Sequence, residues 1–411
     1  MKNVTSGERM KIYMDYAATT PVRKEVAAAM KPYFSEKFGN PSSIHAWGRE
    51  AKDALDSARA AVAKALGCNE GEIIFTSGGT EADNLAIVGA AFANKDKGRH
   101  IITSAIEHHA VLDTCRWLEA QGFSVTYVPV DETGLVDPKN VEASIREDTI
   151  LVTVMHANNE IGTVQPIREI SGICRSRGIL FHTDAVQTFC HVPIDLANTS
   201  RSKAPAVQAE SEIPPCIDML SVSSHKIGGP KGVGALYVRS GVRIEALVHG
   251  GGQERKLRSG TENVAGIVGF ARAVELGMKE MAKESKRLQK LRDYLIKSVL
   301  KIPNSALTGH PTKRLPNHAS FWFKFIEGEA LGLTLDAAGI ASSTGSACSS
   351  KSLEPSHVLL ACGLKAHEAH GSLRLTLCPG TSKADVDYVL KVLPKAVENL
   401  RKISPFKKSY D

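Results

Sequence analysis

Residues 219–232 read Met-Leu-Ser-Val-Ser-Ser-His-Lys-Ile-Gly-Gly-Pro-Lys-Gly. Five residues of β character, Met219 to Ser223, break into a polar, glycine-rich turn that carries Lys226. The same pattern recurs upstream: Ile179 to Thr183 runs into Asp184-Ala185-Val186-Gln187, and Glu72 to Thr76 runs into Ser77-Gly78-Gly79-Thr80-Glu81. His100 to Thr103, Ser124 to Val130, Ile150 to Met155 and Gly234 to Val238 complete a set of short β-rich runs that alternate with helical patterns. That alternation predicts an α/β fold around a mostly parallel, seven-stranded sheet. Ligands of such sheets bind in the crevice beyond the strand ends, so the tips are where chemistry is sought first.

Outward from this region, Ile267, Phe270, Val274, Met278, Met281, Leu288, Leu291, Leu295 and Val299 recur at helical steps and predict one long amphipathic helix. Beyond it, Ala319 to Phe325 and Ser372 to Leu377 read as strands, Ser342 to Ser352 as a Gly/Ser-rich loop, and Lys383 to Ile403 as a closing amphipathic helix. A chain of 411 residues exceeds what one core usually organises, so two domains are expected. The boundaries read as 16–264 for the large domain, with 1–15 and 265–411 forming a smaller α+β domain whose mobile loop spans about 342–352. Ala197 to Pro215, rich in Ser, Ala and Pro, reads as an exposed loop.

The net charge of +7 comes from scattered Lys and Arg rather than a block, which gives no reason to expect nucleic-acid binding. The eight cysteines include no CxxC pair, and in a chain of this length they are expected to be free thiols in a reducing compartment. The N-terminal stretch lacks the apolar centre of a signal peptide, and no segment approaches the roughly 18 to 20 apolar residues of a membrane span. A cytoplasmic protein without membrane attachment is expected.

Three strand tips offer complementary chemistry. Gly78-Gly79-Thr80 opens a helix, and glycines there let backbone N–H groups approach a phosphate at the positive helix end. A plain turn is the alternative. Asp184 stands where a carboxylate could hold a pyridinium nitrogen protonated, although Asp is also a preferred helix N-cap. Lys226 lies in a turn suited to a Schiff-base lysine, which must shed a proton before it forms an imine; spacing alone does not separate it from Lys231. A cradle, a carboxylate and a lysine in this order are together what pyridoxal 5'-phosphate requires.

The chain resembles the cysteine desulfurases of the class V aminotransferase group, fold type I. The likeness rests on Tyr13-Met14-Asp15-Tyr16-Ala17-Ala18-Thr19-Thr20-Pro21, Phe38-Gly39-Asn40-Pro41-Ser42-Ser43, Thr76 to Glu81, Glu107-His108-His109-Ala110-Val111 and Asn158-Asn159-Glu160-Ile161-Gly162. It continues through His225-Lys226, Gly250 to Glu254, Arg258-Ser259-Gly260-Thr261 and Ser346-Ala347-Cys348. The resemblance implies that Lys226 carries the cofactor and shuttles the substrate α-proton, that Asp184 and Gln187 hold its ring, and that His108 stacks on it. An imidazole whose charge ordinarily switches near neutral pH could also move a proton there. It further implies phosphate contacts from Gly79, Thr80, Ser223 and His225, and from Thr261 of a second subunit, hence a homodimer. Arg374, assisted by Asn159, would bind the carboxylate of L-cysteine, since a guanidinium matches a carboxylate bidentately. Cys348 would take the sulfur as a persulfide, leaving alanine. The segment from Ser342 to Leu359 resembles the long-loop branch that supplies iron–sulfur scaffold proteins and tRNA thiolation. No resident metal is expected, with Cys348 at most a transient cluster ligand. Cys378-Pro379 departs from the Gly-Arg pair of relatives, and Cys378 is read as structural. The competing readings are a selenocysteine lyase, another class V transaminase, or a scaffold that has lost its cofactor.

Overall fold

β-Branched and aromatic residues fill the seven runs, and such side chains fit a pleated surface better than a helix. All seven become strands of one sheet. In the computed structural model, which describes residues 11–196, 216–345 and 354–405, β1 (Ile12–Tyr13) precedes β2 (Ile73–Thr76), β3 (His100–Ser104), β4 (Ser124–Val128), β5 (Thr149–Thr153), β6 (Leu180–Asp184), β7 (Met219–Ser223) and β8 (Gly234–Val238). Then come β9 (Ser305–Leu307), β10 (His318–Phe323), β11 (Ile340–Ala341) and β12 (Ser372–Thr376). The large sheet has the order β2-β8-β7-β6-β5-β3-β4. Only β8 runs against its neighbours, so β2, β3, β5, β6 and β7 all end on one edge.

Alternation along each strand divides the core between two faces. Ile74 packs with Ile101, Leu151, Met219 and Leu236 under the helices Gly79–Asn94 and His109–Ala120. Ile73 and Phe75 point the other way, joining Val152, Phe181 and Tyr237 under Ala46–Leu66, Ile167–Ser176 and the start of Val264–Val299. Full burial of each such side chain contributes roughly 1.5–3 kcal/mol. A second cluster holds Ile12 and Met14 with Phe321, Phe323, Leu373, Leu375 and the Lys383–Ile403 helix residues Val386, Val389 and Leu393. Its sheet, β12-β10-β9, is antiparallel.

The 36-residue helix Val264–Val299 joins the two clusters. Ile267, Phe270 and Val274 belong to the first, Leu288, Leu291, Leu295 and Val299 to the second. Met278 and Met281, part of the expected stripe, are only half-buried at the span between them.

Several strand ends differ from the sequence reading by one or two residues, and three residues that fall outside their strands show why. Glu72 stays outside β2 because its carboxylate accepts from Asn69 N at 2.9 Å and Ser240 N at 2.7 Å. Met155 leaves β5 because its N–H is taken by Glu107 at 3.0 Å. Phe325 falls beyond β10 with a φ of +70°. The Ala197 to Pro215 segment lies outside the described residues.

Candidate active site

The five strand ends on the shared edge deliver their polar residues to one cavity of about 350 Å³. From the β2 tip come Gly79 and Thr80, from β3 His108, from β5 Asn159, from β6 Asp184 and Gln187, and from β7 Ser223, His225 and Lys226. Arg374 on β12 closes the cavity from the second cluster, so every expected site residue except two lines it. Thr261 is the first exception: it is exposed on the approach to the long helix and does not line this cavity. Cys348 is the second, lying outside the described residues, although Gly345 and His357 on either side of it both line the cavity. A larger surface depression of about 750 Å³, bordered by Tyr33, Trp47 and Glu275, contains none of these groups.

The Tyr13 to Pro21 motif wraps across Lys226. Its ammonium donates to the carbonyls of Ala17 and Ala18, the latter at 2.9 Å, and Gln187 Nε2 donates to the same Ala17 oxygen at 3.0 Å. His225 Nδ1 is 3.1 Å from Thr19 Oγ1, and Thr20 Oγ1 donates to His225 O at 2.8 Å. The lysine is therefore presented by contacts on both sides.

The phosphate end shows a fit of shape as well as of charge. A Cβ added at Gly79 would stand 2.7 Å from Val186 Cγ2 and 3.7 Å from Ser223 Cβ, so only glycine leaves room there. Ser223 Oγ is buried with no hydrogen-bond partner among the described residues, and a buried hydroxyl in that condition calls for an acceptor. The first N–H groups of the Gly79–Asn94 helix lack intrahelical acceptors and favour an anion. With Asp184 and Lys226 across the cavity, these residues fit pyridoxal phosphate. Among the described residues no group of three His, Cys, Asp or Glu side chains is placed to hold a metal.

Burial sets the protonation of the site. Asp184, on the cavity wall, is raised by burial to about 6 despite the N–H of Val186 at 2.8 Å and the charge of Lys226. Burial, reinforced by Lys226, holds the His108 imidazole down at about 4, so it is neutral at pH 7 and not poised at its ordinary value. Its Nδ1 accepts from Ala110 N at 3.1 Å, fixing the ring as the N-cap of its helix. His225 is likewise depressed to about 4 by burial and by Lys226 and Lys231.

Arg374 is 2% exposed. One terminal nitrogen donates to Asp15 Oδ1 at 2.8 Å, the other to the carbonyls of Asn159 at 2.8 Å and Gly345 at 3.2 Å, while Nε has no partner among the described residues. Asn159 thus meets the arginine through its backbone oxygen, which also faces His318 Nε2 at 3.0 Å. Cys378 sits in a turn held by Arg287, which donates to the carbonyls of Cys378, Pro379 and Thr381. The thiol accepts from Gly380 N at 3.2 Å.

Several cavity residues were given no role by the sequence reading. Glu107 and Glu160 stood in quoted motifs, but their function follows only from contacts: Glu107 bonds Ser104 and Met155, and Glu160 accepts from Ser356 Oγ at 2.5 Å. Asp83 had one available signal, a position one helical turn beyond Gly79 among apolar neighbours.

The aminotransferase class-V family description matches residues 12–389. The chain is 56% identical over 400 residues to the cysteine desulfurase IscS of Methanosarcina thermophila, covering 97% of this chain and 95% of that one. Among solved structures it is similar to a NifS-like protein, with a TM-score of 0.86 and 39% identity over 95% of this chain and 100% of that one. It is also similar to SspA in complex with cysteine, with a TM-score of 0.76 and 38% identity over 90% of this chain and 100% of that one. The chain belongs to the aminotransferase class-V family, with the fold-type-I architecture expected of it. Its place within that family is among the pyridoxal-phosphate-dependent cysteine desulfurases.

Proposed function

We propose that Lys226 Nζ binds the cofactor covalently and moves the substrate α-proton, that Arg374 binds the α-carboxylate of L-cysteine, and that the Cys348 thiol accepts the sulfur. The observation that carries this reading is the convergence of Gly79, Ser223, His225, Asp184, Gln187, Lys226 and Arg374 on one cavity. Pyridoxal phosphate, when bound, supplies the electron sink for breaking the carbon–sulfur bond. Asp184 pairs with its ring nitrogen, Gln187 with its ring hydroxyl, and Gly79, Thr80, Ser223 and His225 with its phosphate. Neutral His108 covers the ring, and because its Nδ1 accepts from Ala110 N its hydrogen sits on Nε2, from which it can be donated.

Cys348 must lose its proton before it attacks, since the thiolate is the nucleophile. A sulfur–sulfur bond forms to Cys348 Sγ as the substrate's carbon–sulfur bond breaks. Cysteine and thiol become alanine and persulfide, and the atoms balance without an external oxidant. Exposed Thr261 is suited to contribute to the cavity of a second copy, which makes the working unit a homodimer. The persulfide is read as serving an iron–sulfur scaffold or tRNA thiolation, without direct contact with nucleic acid. Residues 16–264 act as the cofactor domain, and 1–15 with 265–411 as the domain that brings Arg374 and Cys348 to it. A cytoplasmic setting suits the seven free cysteines found among the described residues. None of the described helices is long and apolar enough to cross a membrane.

Borohydride reduction followed by peptide mass analysis should locate a pyridoxyl group on Lys226. Cys348→Ala should abolish persulfide and alanine formation from cysteine while keeping the visible cofactor band. A pyridoxyl group on another lysine, or undiminished sulfur release by Cys348→Ala, refutes the assignment.

A further inference from the structure

His182 and Asp184 lie two residues apart on β6 and therefore face the same side of the sheet. On β7, Ser221 is the register partner of Asp184, and its Oγ stands 3.0 Å from His182 Nε2. The Gly79–Asn94 helix runs over this face, and its Asp83 brings a second carboxyl group to the wall of the same cavity. Asp83 is 1% exposed. Its Oδ1 is 3.7 Å from His182 Nε2, beyond hydrogen-bond range, and has no other partner among the described residues. An ionised carboxylate with an unsatisfied oxygen is strongly disfavoured at such a depth, and the group neutralises instead.

Among the described residues, the elements packed against Asp83 offer it no compensating cation. His182 is held neutral by its own burial, at about 3. Lys226, in the turn after β7, acts on Asp184 and lowers it. What reaches Asp83 besides burial is the like charge of Asp184 on β6, opposed only by the Ser221 hydroxyl; Glu107, before the next helix, is itself raised by burial to about 8 and adds a like charge only once it ionises. Cys115, on the helix packed alongside, is pushed by burial to about 12 and stays a thiol.

We infer that Asp83 is a positioning residue that carries a proton at neutral pH, leaving Asp184 as the ionised carboxylate of the pair. Two of the four carboxyl groups on the cavity wall then have separate tasks: Asp184 presents charge to the ligand, and Asp83 withholds a second charge beside it. The inference rests on reading Asp184 as the cofactor's carboxylate. The proton on Asp83 is measurable without the cofactor, so the two ideas fail separately.

The test uses the full-length protein, as purified and after removal of any bound pyridoxal phosphate. The native state keeps on Asp83 a proton that the unfolded chain releases above about pH 4, so stability falls as pH rises. Asp83→Asn should therefore raise the thermal midpoint by an amount that grows between about pH 5 and about pH 8. It should also delete one carboxylic C=O stretching band from the infrared spectrum at about pH 7. Should Asp83→Asn fail to fold, Ser221→Ala serves instead: loss of the adjacent hydroxyl should shift the same infrared band. A midpoint difference independent of pH, or an infrared spectrum unchanged by either variant, overturns the inference.

Discussion

Gly79→Ala adds one methyl group where the cavity is tightest, and its effect follows from two distances. The new Cβ would meet Val186 Cγ2 at 2.7 Å, well inside ordinary contact, and Ser223 Cβ at 3.7 Å, which is ordinary contact. Val186 is β-branched and stiff at χ1, so the strain passes to its backbone. That backbone donates to Asp184 Oδ1 at 2.8 Å and leads directly into Gln187. Overpacking of this kind costs about 1–3 kcal/mol, which corresponds to roughly 5- to 150-fold weaker cofactor binding if it falls on the loaded geometry. Absorbance titration of the cofactor-free protein with pyridoxal phosphate measures it. Val186→Ala removes the clashing atom, and because Val186 is only half-buried its truncation alone should cost little, so the double variant should recover most of the affinity. Unchanged affinity in Gly79→Ala, or no recovery in a folded double variant, would refute the steric account of the cradle.

Arg374→Lys keeps a charge but loses the planar fork, and the KM for cysteine should rise roughly tenfold or more with a smaller change in kcat; steady-state alanine formation reads both. Glu254→Gln breaks the buried pair with Arg59, 2.6 Å apart, and weakens the bond from Phe75 N. Removing one partner of such a pair costs about 3–5 kcal/mol, seen as a lowered urea midpoint. His156 is depressed to about 4 by burial, so its contribution to stability is present above about pH 6.5 and is lost as pH falls towards 4. His156→Gln should flatten the decline of the thermal midpoint across that window, and an unaltered slope would count against it.

The strands were legible because their signal is local. Met219–Ser223 and Gly234–Val238 form over the residues read from sequence, and Lys226 follows β7 as expected. What escaped depends on partners distant in the chain. Nothing near Met155 announces that a carboxylate 48 residues earlier will claim its N–H and end the strand. Asn159 was read as assisting Arg374, and nothing in the sequence says that its backbone carbonyl is what meets the guanidinium, 215 residues away. Asp83 escaped because sequence cannot say which side of a helix lies over a charged strand end. Arg374 was read from the family resemblance, but its pairing with Asp15 spans 359 residues and could be read only from the folded chain.

The long helix fixes more than connectivity. At 1.5 Å per residue its 36 residues span about 54 Å, and it is anchored in a different core at each end. One residue inserted midway would rotate the far core by about 100° and displace it by about 1.5 Å, swinging Arg374 away from Lys226. The spacing of this rod is therefore a gauge length: substitutions along its exposed side are free to accumulate, while single-residue insertions or deletions between Leu276 and Arg287 would put the two halves of the cavity out of register.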